Sequence, residues 1–489
     1  MDDPRVKDAP TVGVGPAQEP DEPPPILAPA SRLLDPRRPT WLLVLMLAWP
    51  VLLQQLLVFA VNLFDGLMAG RFQNVGQAEQ IATQAAQTTA NYLAWFLSSC
   101  TILVSVGATA LVARLLGAGD RRNAVHAANQ SILIAVVMGL VGGAAGFFGL
   151  PYLLEALQLH GDEAVYAAAF LRPMFVLLTL QVVESAGVAC LVGAGDTLTG
   201  MVVLGGVALI NMPLTLLFFY GLGPIPALGF AGIGLGTAVA HSLGGAAVLA
   251  VLMRGRAGLR LRAELLWPNG ALIKRLLWVS VPAGFDSLSV TLGHLWFLAI
   301  VNNALGDVDQ AAHGIAIRWE SLSFLSGAAF GTAAMALVGQ NLGAGRPDRA
   351  ARSGWTAFAL GGLWMACMGA VFYVLAPEMF GLFCPYQEQA DIVKVGVPVL
   401  RLVALAQPAL AAANIFTASL RGAGDTRVPV LITWFGFFAV RIPLAYLLTR
   451  PEMRLGLWGA WLAMFVDLYV RGLFFLGRFA GGRWQKLRV

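Results

Sequence analysis

Residues 41–69 read WLLVLMLAWPVLLQQLLVFAVNLFDGLMA, an almost wholly apolar run from Trp41 to Ala69. As a helix these roughly 29 residues span about 40 Å, enough to cross a bilayer core of about 30 Å with some tilt. Asp65 places a carboxylate in this run, at a cost of roughly 2.5–3.5 kcal/mol on insertion scales at mid-bilayer. Such a group faces protein or a water-filled cavity rather than lipid. Asn62, three residues earlier, lies on the same helix face. Pro50 removes a backbone hydrogen bond and bends the helix.

Working outward, the whole chain shares this character. It has 489 residues, 58% of them hydrophobic and 12% charged, with a mean hydropathy of +0.72. Soluble domains carry about 25% charged residues. The composition excludes a soluble binding module and specifies an all-α polytopic membrane protein. Apolar runs fall at 41–69, 81–113, 123–149, 163–190, 199–221, 229–253, 276–304, 310–340, 351–376, 391–419, 428–449 and 455–478. They predict twelve transmembrane helices with both ends on one side. Residues 1–40 are rich in Pro, Asp and Glu, lack a signal-peptide pattern and read as a disordered cytoplasmic tail. Residues 479–489 form a short cytoplasmic tail.

Lys and Arg set the orientation. Arg114, Arg121 and Arg122, then Arg254 to Arg275, then Arg346, Arg349 and Arg352, then Arg421 and Arg427, all fall between spans on one side. The positive-inside rule makes that side cytoplasmic and places the protein in the cell (inner) membrane. Cys100, Cys190, Cys367 and Cys384 form no CxxC pattern and read as packing thiols.

The chain repeats itself. LVARLLGAG (Leu111–Gly119) recurs as LVGQNLGAG (Leu337–Gly345), about 226 residues on. LVGAGDT (Leu191–Thr197) recurs as LRGAGDT (Leu420–Thr426), about 229 on. Pro50 matches Pro282, and Pro213-Leu214 matches Pro443-Leu444. The near-constant offset predicts two pseudo-symmetric six-helix lobes, 41–253 and 276–478, joined by a basic cytoplasmic linker at 254–275. GAGDT reads as a tight turn whose Asp caps the next helix. GIGLG (Gly232–Gly236) lies inside an apolar run and reads as close helix packing. No Walker A lysine motif, HExxH or GxSxG is present, so neither ATP hydrolysis nor protease or serine-hydrolase chemistry is expected, and the chain does not read as an enzyme.

The order and duplication of these motifs, with P-x14-D in the first span and PAGFDSL opening the seventh, resemble the multidrug and toxic compound extrusion (MATE) transporters over nearly all of residues 41–485. The resemblance implies two six-helix lobes and export of drugs and organic cations against an inward flow of H⁺ or Na⁺. It implies that Asp65 binds the coupling cation in the N-terminal lobe, with partners on spans five and six. Asn211 fits the family's Asn and Thr237 its Thr, but Thr215 stands where the family usually has an Asp. One carboxylate fewer suits H⁺ better than Na⁺. The resemblance implies no resident cofactor and no metal; the partners expected are small-molecule drugs or organic cations and membrane lipids, not nucleic acid, and the protein is expected to act as a monomer.

Asp286 and Glu320 lie in the C-terminal lobe near mid-membrane. They read as cavity charges attracting cationic substrate, as binders of the coupling ion, or as ion-pair partners of Arg318, Arg401 or Arg441. Asp467 and Arg471, four apart, read as an intrahelical pair. Arg441 takes the place of Asn211 across the repeat. Glu184 needs a partner from another helix, and His241 and His294 read as packed histidines or proton carriers. Pro50 and Pro213 are candidate conformational residues, and protonation of Asp65 is expected to change the bend at Pro50. The sequence thus points to an alternating-access multidrug antiporter; a lipid-precursor flippase or an exporter of one metabolite is the alternative.

Overall fold

The computed structural model describes residues 33–70, 97, 99–156 and 161–487; the side chains of residues 65–70, 156, 162, 163 and 388 fall outside the description. Among the described residues, twelve helices are long and apolar enough to cross a membrane. They are α1 (Thr40–Gly70), α2 (Ser99–Gly117), α3 (Arg121–Ala156), α4 (Gly161–Gly193), α5 (Thr197–Tyr220), α6 (Phe230–Arg254), α7 (Gly270–Ala304), α8 (Asp307–Gly343), α9 (Pro347–Val374), α10 (Ala390–Gly422), α11 (Arg427–Leu448) and α12 (Gly456–Ala480). Within the described residues each apolar run is a helix. The start of the expected second span, from residue 81, lies among the undescribed residues. Lys274 and Arg275, expected in a loop, stand in the opening turns of α7.

The duplicated motifs form matching turns. Gly119 and Gly345 have φ of +78° and +68°, and Gly195 and Gly424 both have φ of +84°. These are left-handed conformations that glycine adopts without strain. Asp196 caps α5 by accepting from the Thr199 amide at 3.0 Å. Asp425 differs from the expectation: it accepts instead from Arg478 at 2.8 Å, and α11 has no side-chain cap.

The two halves also meet through these motifs. Gln340 Nε2 at the end of α8 donates to the Gly193 carbonyl at 2.8 Å, and Arg114 Nη1 at the end of α2 donates to the Ala423 carbonyl at 3.0 Å. Each helix end therefore bonds the GAGDT turn of the other half, a reciprocal clasp on the side where the chain turns from α2 to α3 and from α8 to α9. Leu33 packs against Gly195, and Arg346 and Arg349 donate to the Leu34 carbonyl at 2.8 and 3.0 Å. The segment before α1 thus straps across the clasp.

The apolar cores cross over in the same reciprocal way. Leu43, Val44, Leu47 and Ala48 of α1 are buried in the cluster built by α8 to α12. Leu272 and Leu276 of α7 are buried in the cluster built by α2 to α6. Beyond Pro50, Leu57 lies beside Gly205 of α5; beyond Pro282, Phe297 and Ile300 rejoin their own half. Both prolines stand where a helix passes from one lobe to the other, and there the missing hydrogen bond makes a bend cheap.

Candidate functional site

In the N-terminal half, small residues bring α4, α5 and α6 together. A Cβ added at Gly234 would lie 2.2 Å from the Phe170 carbonyl oxygen, and one at Gly236 would lie 2.8 Å from Thr215 Oγ1. GIGLG is therefore a packing stripe, as expected. This approach seats Thr237 beside Asn211. Asn211 Nδ2 donates to Thr237 Oγ1 at 3.1 Å, and Thr215 Oγ1 donates to Asn211 Oδ1 at 3.3 Å. Thr237 in turn donates to the Ile233 carbonyl at 3.1 Å. Asn211 and Thr215 are buried. The three residues named from the sequence on these helices are thus one hydrogen-bonded cluster without a formal charge.

Asp65 lies on α1, eight residues beyond Leu57, or about 12 Å further along the helix axis. From Gly205, the neighbour of Leu57, Asn211 is about 9 Å further along α5 and Thr215 about 15 Å. The backbone of Asp65 is therefore level with the cluster; its side chain falls outside the description. Asn62, one turn before it, is exposed. Pro213 lies inside α5 between Asn211 and Thr215.

The C-terminal half fills the corresponding place with charge. Arg441 Nη2 and Nε approach Asp467 Oδ2 at 2.7 and 2.8 Å, and Arg471 Nε reaches Asp467 Oδ1 at 2.8 Å. The expected Asp467–Arg471 pair is present, with Arg441 as a third member. All three are buried, and both guanidinium groups lie over the Phe437 ring at 4.2 and 4.6 Å. The backbone from Phe435 to Arg441 is π-helical, whereas α5 is regular throughout. A π-turn absorbs one extra residue. The repeat offset accordingly rises from 229 at Asp196/Asp425 to 230 at Pro213/Pro443, a signal already present in the sequence.

Asp286 corrects one expectation. Its partner is none of Arg318, Arg401 or Arg441 but Arg421, whose Nη2 lies 2.6 Å from Asp286 Oδ2. Arg421 belongs to the last turn of α10, not to a loop, so its guanidinium reaches back along the bundle. Arg318 and Arg401 stack on Phe383 and Tyr373. Glu320 has no direct ion pair among the described residues but lies within electrostatic reach of Arg441 and Arg471.

One site residue lacked a partner in the sequence reading. Glu184 of α4, buried, receives His241 of α6, with Nδ1 at 2.7 Å from Oε2. The two are 57 residues apart in the chain, so no local pattern joins them.

The chain matches known proteins in the same terms. The MatE family model matches twice, over residues 50–217 and 282–447. A probable multidrug resistance protein NorM from Thermotoga maritima is 28% identical over 410 residues, covering 82% of this chain and 85% of that one. A multidrug resistance protein MdtK from Pectobacterium atrosepticum is 28% identical over 435 residues, covering 86% and 91%. In fold, the chain is similar to the outward-facing conformation of a multidrug resistance MATE family transporter, with a TM-score of 0.83 at 18% identity, over 93% of this chain and 98% of that one. Twelve apolar helices, two clasped halves and a family match in each half lead to one conclusion: the chain belongs to the MATE family of multi-pass membrane transporters.

Proposed function

We propose that this protein is an H⁺-coupled multidrug antiporter that exports amphipathic organic cations by alternating access, with Asp65 as the coupling carboxylate. The observation that carries this reading is where charge is compensated. In the C-terminal half Asp467 is held by two arginines and Asp286 by a third. Asn211, Thr215 and Thr237 bond to one another and to the Ile233 carbonyl, with no cation among these partners. The backbone of Asp65 is level with that neutral cluster, and we assign proton uptake and release to its carboxylate. With Thr215 in place of a second acid, the cluster offers Na⁺ only neutral oxygens beside Asp65, a weak set for a hard cation.

The reciprocal clasp supports the alternating-access part. It closes the side that carries the termini, which the basic loops make cytoplasmic, and it consists of a few hydrogen bonds that a rocking motion can break. Substrate and proton then compete by favouring different states, each weakening the other's binding. Pro50, at the passage of α1 between lobes, is where that motion bends the helix.

The test is efflux of a lipophilic cation from proteoliposomes under imposed pH or Na⁺ gradients. A pH gradient alone drives export, and Asp65→Asn lowers it roughly tenfold or more. Efflux driven by Na⁺ alone overturns the choice of ion. Parent-like efflux of Asp65→Asn under a pH gradient overturns the role of Asp65.

A further inference from the structure

We propose that Glu184 and His241 form a second proton-binding site of the N-terminal half; its place in the transport cycle rests on the H⁺-coupled reading above.

The first support is the geometry of the pair. Glu184 Oε2 is 2.7 Å from His241 Nδ1, while Oε1 is buried with no hydrogen-bond partner among the described residues. Oε1 is pressed against Gly244, where a Cβ would collide with it. The Glu184 side chain is 2% exposed and that of His241 29%. A buried carboxylate with one oxygen unsatisfied is costly as an anion, and adding a proton to it removes that cost.

The second support is the choice of partner. Where this protein neutralises a buried acid for structure it uses arginine, as in Arg441–Asp467 and Arg421–Asp286. Arginine keeps its charge at any working pH. Among the described residues, Glu184 is the one acid given an imidazole, the side chain whose charge changes between about pH 5 and 8. Among the described residues no permanent cation from the neighbouring helices replaces it. α3 has no ionisable residue from Ser131 to Leu150, and α5 has none before Tyr220. On α6 the only other charge is the terminal Arg254. On α4 itself Arg172 is exposed, twelve residues away. Arg114 of α2 is engaged with the Ala423 and Leu487 carbonyls, and Glu320 of α8 belongs with Arg441 and Arg471.

The third support is position. His241 follows Thr237 by four residues on α6, so both lie on one face. The Asn211–Thr215–Thr237 cluster and the Glu184–His241 pair thus stand one helical turn apart along α6. A proton arriving at the partly exposed His241 ring passes from Nδ1 to Oε2, leaving neutral imidazole beside a neutral carboxyl; release reverses the transfer and restores the carboxylate.

Infrared difference spectra of the full chain in lipid vesicles, stepped between about pH 5 and 8, test this directly. On acidification a carboxylic-acid carbonyl component is expected that is missing from Glu184→Gln and retained in Asp65→Asn, which loses instead the component belonging to Asp65. His241→Gln is expected to shift the pH midpoint of that band and the pH optimum of efflux together. If Glu184→Gln does not fold, the midpoint shift in His241→Gln carries the test. The proposal is overturned if no titrating band belongs to Glu184, or if His241→Gln leaves the midpoint unchanged. Na⁺-only efflux overturns the coupling-ion reading separately, because the band reports protonation whatever drives transport.

Discussion

Asn211 and Thr237 in one half, and Arg441 and Asp467 in the other, occupy the same pair of neighbouring helices across the repeat. The helix contact around them is conserved in geometry within the molecule. A Cβ at Gly232 would lie 2.5 Å from the Phe218 carbonyl oxygen, and a Cβ at Gly459 would lie 2.5 Å from that of Leu448. What differs is the filling. The N-terminal half holds a neutral hydrogen-bonded cluster; the C-terminal half holds a buried acid between two arginines. Duplication supplies a frame twice, and one copy is filled with a buried ionic cluster while the other is filled with neutral hydrogen-bonding groups. The lesson is that pseudo-symmetry of backbone need not carry symmetry of chemistry.

The largest effect should come from breaking the ionic cluster. Asp467→Asn leaves Arg441 and Arg471 buried without their anion, and removing one partner of a buried ion pair costs about 3–5 kcal/mol. Thermal unfolding in detergent should show a large drop. Carrying the neutral pair across, as Arg441→Asn with Asp467→Thr, should cost less than Asp467→Asn alone, because it removes one of the two stranded charges. If the double variant is no more stable than the single one, the three-residue ionic cluster is not the stabilising unit inferred here.

How much of this was legible in the sequence follows from the range of the interactions. Span number, the repeat and the glycine turns are local or periodic signals, and each appears in the structure. Asp467 and Arg471, four apart on one helix, were legible for the same reason. Arg441 was not, because it joins them across 26 residues and a π-helical turn. Asp286–Arg421 spans 135 residues and Glu184–His241 spans 57. Helix register alone cannot say which faces meet at such separations. Arg421 was the most misleading residue: a basic side chain at a helix end reads as a loop charge, yet its length lets it serve a carboxylate deeper in the bundle.

An intermediate effect tests the shared frame. Gly232→Val and Gly459→Val each force a side chain into a backbone carbonyl on the adjoining helix. Overpacking of this kind costs about 1–3 kcal/mol. The two variants should lose similar stability, since the two approaches have the same closeness. A tolerant Gly459 beside an intolerant Gly232 would mean that the halves differ in frame as well as in filling.

The smallest effect on stability belongs to the neutral cluster, and it sharpens the comparison most. Asn211→Ala removes the bonds to Thr237 and Thr215, but Thr237 keeps its own bond to the Ile233 carbonyl. A neutral hydrogen bond contributes about 0.5–1.5 kcal/mol net, so unfolding should shift only slightly. Transport should respond more strongly than stability, because the lost amide stands level with Asp65 and no charge is left behind to unfold the lobe. A fall in pH-driven efflux with near-parent unfolding would identify Asn211 as part of the coupling machinery. A loss of stability as large as that of Asp467→Asn would instead make the two pairs equivalent scaffolding, and the assignment of proton exchange to the N-terminal half would lose its physical basis.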